Sequence, residues 1–234
     1  MQKNNFTPLT KEHLRRFISI EGCDGAGKTR LAHNIKTLLL QKQLDAFITH
    51  EPGGTPLACR IRQLFKHKAP SDTSSAERLT QEADALLVSA ARAQHVRYAI
   101  IPALLSAKIV VSDRFVDSTR VYQGYVGQLP TEFIETLISH STYGCLPSLT
   151  FLLDASPKFL CKRRKERQES STASQTSSVE RFDDAALSFH QKIREGYLAL
   201  EQKDTQRFCI IDAHKPADDI AQQVMEVMQK HLAI

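Results

Sequence analysis

Phe17-Ile18-Ser19-Ile20-Glu21-Gly22-Cys23-Asp24-Gly25-Ala26-Gly27-Lys28-Thr29 is the stretch that decides the fold. Its first five residues read as a short apolar strand. Gly22 to Thr29 then match the pattern G-x-x-x-x-G-K-[ST], and apolar side chains recur at helical spacing over residues 28–40. Strand, glycine-rich turn and helix in that order are the context a phosphate-binding loop requires. Backbone N–H groups of the turn and of the helix N-terminus converge on phosphate oxygens there, and glycine allows the close approach. In this reading Gly22, Cys23, Asp24, Gly25, Ala26, Gly27, Lys28 and Thr29 wrap the phosphates of a nucleoside triphosphate. Lys28 reaches the outer phosphates, and the Thr29 hydroxyl is placed to coordinate magnesium.

Outward from this loop, residues 46–50, 108–112, 149–153 and 207–211 read as further short apolar strands. Residues 75–105, 130–141, 157–167, 183–201 and 216–232 read as helices. Short apolar strands alternating with amphipathic helices imply a parallel sheet covered on both faces. The expectation is an α/β fold of about five strands. Residues 1–16 read as a polar leader and mobile tail, and residues 17–234 as a single domain. The polar stretch 168–178, rich in Ser and Thr, lies between two helices and has no large apolar side chain to offset the entropy of ordering. It reads either as a surface insertion or as the tip of a mobile lid.

The 234 residues are 41% hydrophobic and 24% charged, which excludes a wholly disordered, collagenous or coiled-coil chain. No apolar run approaches the roughly 20 residues that cross a bilayer, and the N-terminal residues lack the apolar core of a secretory signal. A cytoplasmic protein with no membrane partner is the expectation. The net charge of +5 favours acidic partners, whether nucleotide, nucleic acid or anionic surface. Five widely spaced cysteines without a CxxC pair suit neither a disulfide framework nor a zinc site. Most of them read as small buried apolar residues.

Several other segments carry chemistry. Glu51-Pro-Gly-Gly-Thr55 follows the second strand, where the carboxyl ends of parallel strands line a ligand crevice; it also fits an ordinary turn. Asp113-Arg114 ends the third strand. A carboxylate there is the usual partner of the loop hydroxyl in holding magnesium, and the Arg114 fork suits phosphate; a plain strand-end ion pair is the alternative. Arg92, among small residues, is either a crevice-facing guanidinium or a solvated helical one. Ser118 to Gly124 offers hydroxyls, an amide and a ring within one or two turns, a set suited to a base edge or to an ordinary surface helix. Residues 158–167 carry six cations against Glu166. They fit a lid over a transferring phosphoryl group, a solvated basic face, or a nucleic-acid patch.

Gly22 to Thr29, Glu51 to Thr55, Ala90-Ala91-Arg92, Asp113-Arg114-Phe115 and Tyr122-Gln123-Gly124 occur in the order seen in bacterial thymidylate kinases. Arg181-Phe182-Asp183 resembles that family's lid-closing motif, and the resemblance runs from about residue 17 to the C-terminal helix. It implies a three-layer P-loop kinase fold with a lid over about 158–182. It also implies transfer of the ATP γ-phosphoryl group to dTMP with magnesium as cofactor, by a homodimer that does not engage nucleic acid. Carried across by position, Asp24 holds the sugar 3′-hydroxyl, Arg62 and Arg114 hold the dTMP phosphate, and Glu51 sits beside it. Arg92 and Gln123 face the base, with Thr119 and Tyr122 lining the pocket and sugar. Lys28 and Arg114 are catalytic, as is a lid arginine drawn from Arg163, Arg164 and Arg167. Residues 212–216 resemble the family's adenine-side loop. Where the family carries a phenylalanine stacking on thymine, this chain has Val88, a loss worth about 0.5–1.5 kcal/mol beyond area burial.

A phosphate monoester has its second pKa near ~6, so the acceptor is largely dianionic at neutral pH and needs no general base. The task is to align two polyanions and stabilise the moving charge, which calls for cations, magnesium and position rather than proton abstraction. Three rivals predict different chemistry. A kinase of another pyrimidine monophosphate or of a deoxynucleoside differs in base pocket. A GTPase-type switch needs a guanine-reading Asn-Lys-x-Asp, which the sequence lacks. A basic nucleic-acid binding module has no use for Asp113-Arg114.

Overall fold

A computed structural model describes residues 8–66, 79–170 and 187–234, apart from the side chains of Phe65, Lys66, Arg164 and residues 167–170. Five strands form one sheet: β1 (Phe17–Gly22), β2 (Ala46–His50), β3 (Ile109–Asp113), β4 (Leu149–Asp154) and β5 (Phe208–Asp212). Their order is β2-β3-β1-β4-β5, and every pairing is parallel. All six residues of central β1 are buried, as a strand covered on both faces demands.

The helices are α1 (Lys11–Arg15), α2 (Lys28–Gln41), α3 (Pro56–Lys66), α4 (Gln81–His95), α5 (Ile101–Leu105), α6 (Val116–Thr119), α7 (Thr131–Thr142), α8 (Pro157–Ser170), α9 (Leu187–Lys203) and α10 (Ala217–Leu232). Successive strand residues point to opposite faces, and the core divides accordingly. Phe17 and Val110 join Ile100, Leu104, Phe115 and Ile138 on one side. Ile18 and Val111 join Leu31, Ile35, Ile193, Val224 and Met228 on the other.

Four expectations change. The helix expected over 75–105 is described only from Gln81. It is α-helical to His95, π-helical over Val96–Ile100, then α-helical again. Pro102 explains the break: it has no N–H to donate, and its ring crowds the carbonyl four residues back. The preceding turn widens to accommodate it. The tail reading of residues 1–16 fails from Leu9 onward. Thr10 caps α1 in a reciprocal pair with His13, Leu9 and Leu14 pack on the core, and Arg15 Nε donates to the His231 carbonyl at 2.6 Å. Helix α3 was not expected. Its signal is Thr55-Pro56, a hydroxyl cap before a proline in the first turn, and Ala58 N–H donates to Thr55 Oγ1. Finally, the thiols divide: Cys23 and Cys145 are buried, Cys161 and Cys209 half-buried, and Cys59 exposed. Among the described residues no helix is long and apolar enough to cross a membrane. The polar stretch 168–178 and Arg181-Phe182-Asp183 lie beyond what is described, apart from the α8 backbone as far as Ser170.

Candidate active site

Parallel pairing brings the carboxyl ends of β1, β3 and β4 to one edge of the sheet: Ile20 lies beside Asp113, and Gly22 beside Leu153. At that edge the chain turns through Gly22 at φ 134°, Gly25 at 85° and Gly27 at 100°, a region that penalises any side chain. A Cβ on Gly22 would also strike the Leu153 carbonyl. The turn delivers Lys28 into the loop it closes, where its ammonium donates to the carbonyls of Gly22 (3.1 Å) and Cys23 (2.9 Å). Burial, then the neighbouring Arg114, lowers the Lys28 pKa. Burial raises the Cys23 thiol to about 11, which leaves it an inert packing group.

Thr29 Oγ1 donates to Asp113 Oδ2 at 2.5 Å, joining the start of α2 to the end of β3. The two offer adjacent hard oxygen donors. Arg114, the next residue, adopts φ 71° and turns its guanidinium toward the glycine-rich loop. It donates to Gly22 O, Ser118 Oγ and Tyr197 Oη at 3.0–3.2 Å and forms an ion pair with Asp24. The Tyr122 hydroxyl donates to the second Asp24 oxygen at 3.2 Å. Burial alone would raise the Asp24 carboxyl, but Arg114 and then Lys28 hold it well below the usual carboxylate range.

On the α4 side the polar groups are buried and matched. Arg92, only 1% exposed, donates from Nε to Glu51 Oε2 at 2.8 Å and from Nη2 to Thr119 Oγ1 at 2.7 Å. His95 contacts the other Glu51 oxygen at 3.1 Å and Thr49 Oγ1 at 2.6 Å. Glu51 therefore faces α4 and fixes Arg92. Two turns earlier, Gln123 Nε2 donates to Asp84 Oδ2 at 2.9 Å, and Val88 lies buried between. Arg92 Nη1 and Ser89 Oγ are buried without a partner among the described residues. A buried orphan donor is costly. Arg62, on α3, donates to the Pro52 carbonyl at 2.7 Å.

A cavity of about 460 Å³ opens on the other side of the loop, lined by Gly27, Arg30, Phe159, Arg163, His214 and Pro216 among others. The Arg163 guanidinium lies against Gly27, 3.4 Å from where a Cβ would stand. Ala213, His214, Lys215 and Pro216 of the 212–216 loop thus border this cavity. His214 is braced by Asp212 at 2.7 Å and lies 4.5 Å from the Phe159 ring. The side chains of Arg164 and Arg167 lie outside the described residues. Lys162 is 77% exposed, so the basic segment serves two faces.

Residue-by-residue reading missed a second layer. Glu21, fully buried, accepts from Phe115 N–H (2.7 Å), Ser118 Oγ (2.7 Å) and Tyr197 Oη (3.0 Å), the last two being Arg114's own partners. Burial and then Asp117 push its carboxyl up to about 7. The available signal was a carboxylate ending an otherwise apolar central strand. Asp117, also fully buried, takes Arg207 in a two-point pair at 2.6 and 3.0 Å and clamps β5 beneath the site.

A strand–glycine loop–helix unit at the edge of a parallel sheet, with a hydroxyl–carboxylate pair and an arginine on the adjoining strand end, defines the class: a P-loop nucleotide phosphotransferase. Comparison with known proteins narrows this. The family model described as thymidylate kinase matches residues 20–224. A thymidylate kinase of Chlamydia abortus is 40% identical over 212 residues, spanning 89% of this chain and 93% of that protein. One from Geobacillus sp. (strain WCH70) is 38% identical over 216 residues, spanning 92% and 97%. The crystal structure of thymidylate kinase from Ehrlichia chaffeensis superposes with a TM-score of 0.67 at 26% identity, covering 91% of this chain and 98% of that one. The chain belongs to the thymidylate kinase family, and is an enzyme of nucleotide biosynthesis that uses ATP to phosphorylate dTMP.

Proposed function

We propose that the transfer takes place across the glycine-rich loop, with ATP in the Arg163–His214 cavity and dTMP between that loop and the α4 side. The observation that carries this reading is Arg114, whose guanidinium faces the loop bearing Lys28 and shares Gly22 O with it. Lys28 exchanges its two loop carbonyls for outer phosphate oxygens. Arg114 and Arg62 hold the acceptor phosphate. Asp24, kept ionised by Arg114, has lone pairs left to accept the sugar 3′-hydroxyl. Arg92 Nη1 and the Gln123 amide read the base, beside Thr119, Tyr122 and Val88.

The dianionic acceptor attacks without a general base. The charge that spreads over the transferring group meets Lys28, Arg114 and Arg163, fixed donors in a partly desolvated cleft. Arg163 is favoured as the lid cation by its contact with Gly27. Thr29 and Asp113 suit magnesium, which takes one or two protein oxygens and completes its shell with phosphates and water. Held there by Thr29 and Asp113, the ion would supply positive charge to offset that of the outer phosphates. We extend the proposal to one catalytic unit over residues 17–234 with a lid over 158–182, to a cytoplasmic setting, and to a homodimer. Exposed Leu57 and Leu64 on one side of α3, with Leu86 on the adjoining α4, give the apolar surface a second copy would cover.

A coupled ADP-release assay with ATP, magnesium and dTMP, dUMP, dCMP or thymidine tests the assignment. dTMP should be the preferred acceptor, and Lys28→Ala should lower kcat about 100- to 1,000-fold. Preference for thymidine, or a Lys28→Ala variant with normal turnover, contradicts it.

A further inference from the structure

Helix α4 and the segment that follows β3, α6 running on as a π-helix over Arg120–Val126, are joined by two polar rungs. At one end Arg92 donates to Thr119; at the other Gln123 donates to Asp84. The spacing is four residues on one strand of this ladder and eight on the other, with Val88 between. Both Asp84 and Gln123 are buried, at 2% and 3% exposure.

A glutamine amide has two faces, an NH₂ donor and a carbonyl acceptor, and which one meets a ligand depends on what holds the other. Within hydrogen-bond distance of an ionised carboxylate only the NH₂ end is tolerated, because a carboxylate accepts and cannot donate. Asp84 therefore fixes the flip of Gln123. Nothing among the described residues donates to Gln123 Oε1, so the free face is an acceptor. Arg92 Nη1, two turns along α4 from Asp84, is a buried donor without a partner among the described residues.

We propose that Asp84 is a positioning residue that sets pyrimidine specificity by holding Gln123 with its acceptor toward the base. A donor from Arg92 beside an acceptor from Gln123 complements a lactam edge, a C4 carbonyl next to an N3–H. Cytosine presents the reverse pattern, an exocyclic NH₂ next to an unprotonated N3, and meets donor with donor and acceptor with acceptor. A site that leaves buried polar groups unpaired rejects the wrong ligand strongly. This inference rests on the reading that Arg92 and Gln123 face the base. It adds which group dictates the polarity of the contact.

The test compares kcat/KM for dTMP and dCMP in the wild type, Asp84→Asn, and the double variant Asp84→Asn/Gln123→Glu. An amide at position 84 can pair with either face of Gln123, so the dTMP preference of Asp84→Asn should fall about tenfold or more, mainly through KM for dTMP. In the double variant the introduced amide donates to the introduced carboxylate, whose second oxygen again accepts from N3–H. The preference should return. A purely structural role would lower both substrates together and would not be rescued by the swap. An unchanged ratio in Asp84→Asn, or no recovery in the double variant, overturns the proposal. Should Asp84→Asn fail to fold, Asp84→Ser, too short to hold the amide, carries the same expectation and the same refutation. A wild-type enzyme inactive on dTMP would instead overturn the functional reading beneath it.

Discussion

Arg92 and Lys162 are both cations beside the cleft, and their surroundings could hardly differ more. Arg92 is 1% exposed and held by Glu51 and Thr119 at 2.8 and 2.7 Å. Lys162 is 77% exposed and sits 3.8 Å from Glu166, itself 60% exposed. The contrast extends to whole sides of the molecule. The α4 side is a dry lattice: Thr49–His95–Glu51–Arg92–Thr119, with Asp84–Gln123 alongside. The α8 side is an open cavity rimmed by cations. A pocket that must read a base by a few hydrogen bonds gains from side chains with no freedom left to lose. A region that handles a triphosphate needs charge more than fixed geometry. On the proposed reading, a buried, paired cation such as Arg92 serves base reading, and an exposed one such as Lys162 serves steering or neutralisation.

If the α4 side is prepaid rigidity, breaking it should cost stability first. Arg92→Met strands the Glu51 carboxylate in the interior, a change expected to cost about 3–5 kcal/mol in urea unfolding; a loss below about 1 kcal/mol would mean the lattice is not preorganised. The opposite signature belongs across the loop. Arg163→Ala should leave unfolding close to wild type while lowering kcat about 100-fold, with a smaller change in KM for dTMP. Glu21 sharpens the comparison from below. Its carboxyl, normally near 4.5, is raised to about 7 by burial and Asp117, so the folded state binds a proton the unfolded state releases. That contribution to stability is full below about pH 4.5 and is lost as pH rises through about 7. Glu21→Gln should flatten the stability–pH curve across this window, a difference on the order of 1–3 kcal/mol. A profile that keeps its slope would remove Glu21 from the account.

Where chemistry and periodicity act within a few residues, the sequence is legible. All five strands lie within one residue of expectation at their starts, because each is a short apolar run closed by a polar residue. The glycine-rich loop, Thr29 and Asp113 were recognisable for the same local reason. Long-range pairing was not. Glu51 reads as a turn residue beside a phosphate site, and only packing reveals that Arg92 and His95, more than 40 positions away, take both its oxygens. Glu21, Asp84 and Asp117 look like ordinary carboxylates until burial makes them obligatory partners. Pro102 was visible in the sequence, yet its consequence, a widened turn rather than a helix end, depends on tertiary packing that keeps the helix going. The lid arginine stays open among three, since of their side chains only that of Arg163 falls within the described residues.

On the proposed reading, two nucleotides meet phosphate to phosphate in one continuous cleft between Arg114 and the Arg163–His214 cavity. A bisubstrate compound, thymidine joined to adenosine through a chain of phosphates, tests that most directly. It should bind at least about 100-fold tighter than dTMP alone, since the second contact is gained without a second loss of translational freedom, and should compete with both ATP and dTMP. Competition with one nucleotide only, at an affinity no better than that nucleotide's own, would mean the two sites do not share a cleft.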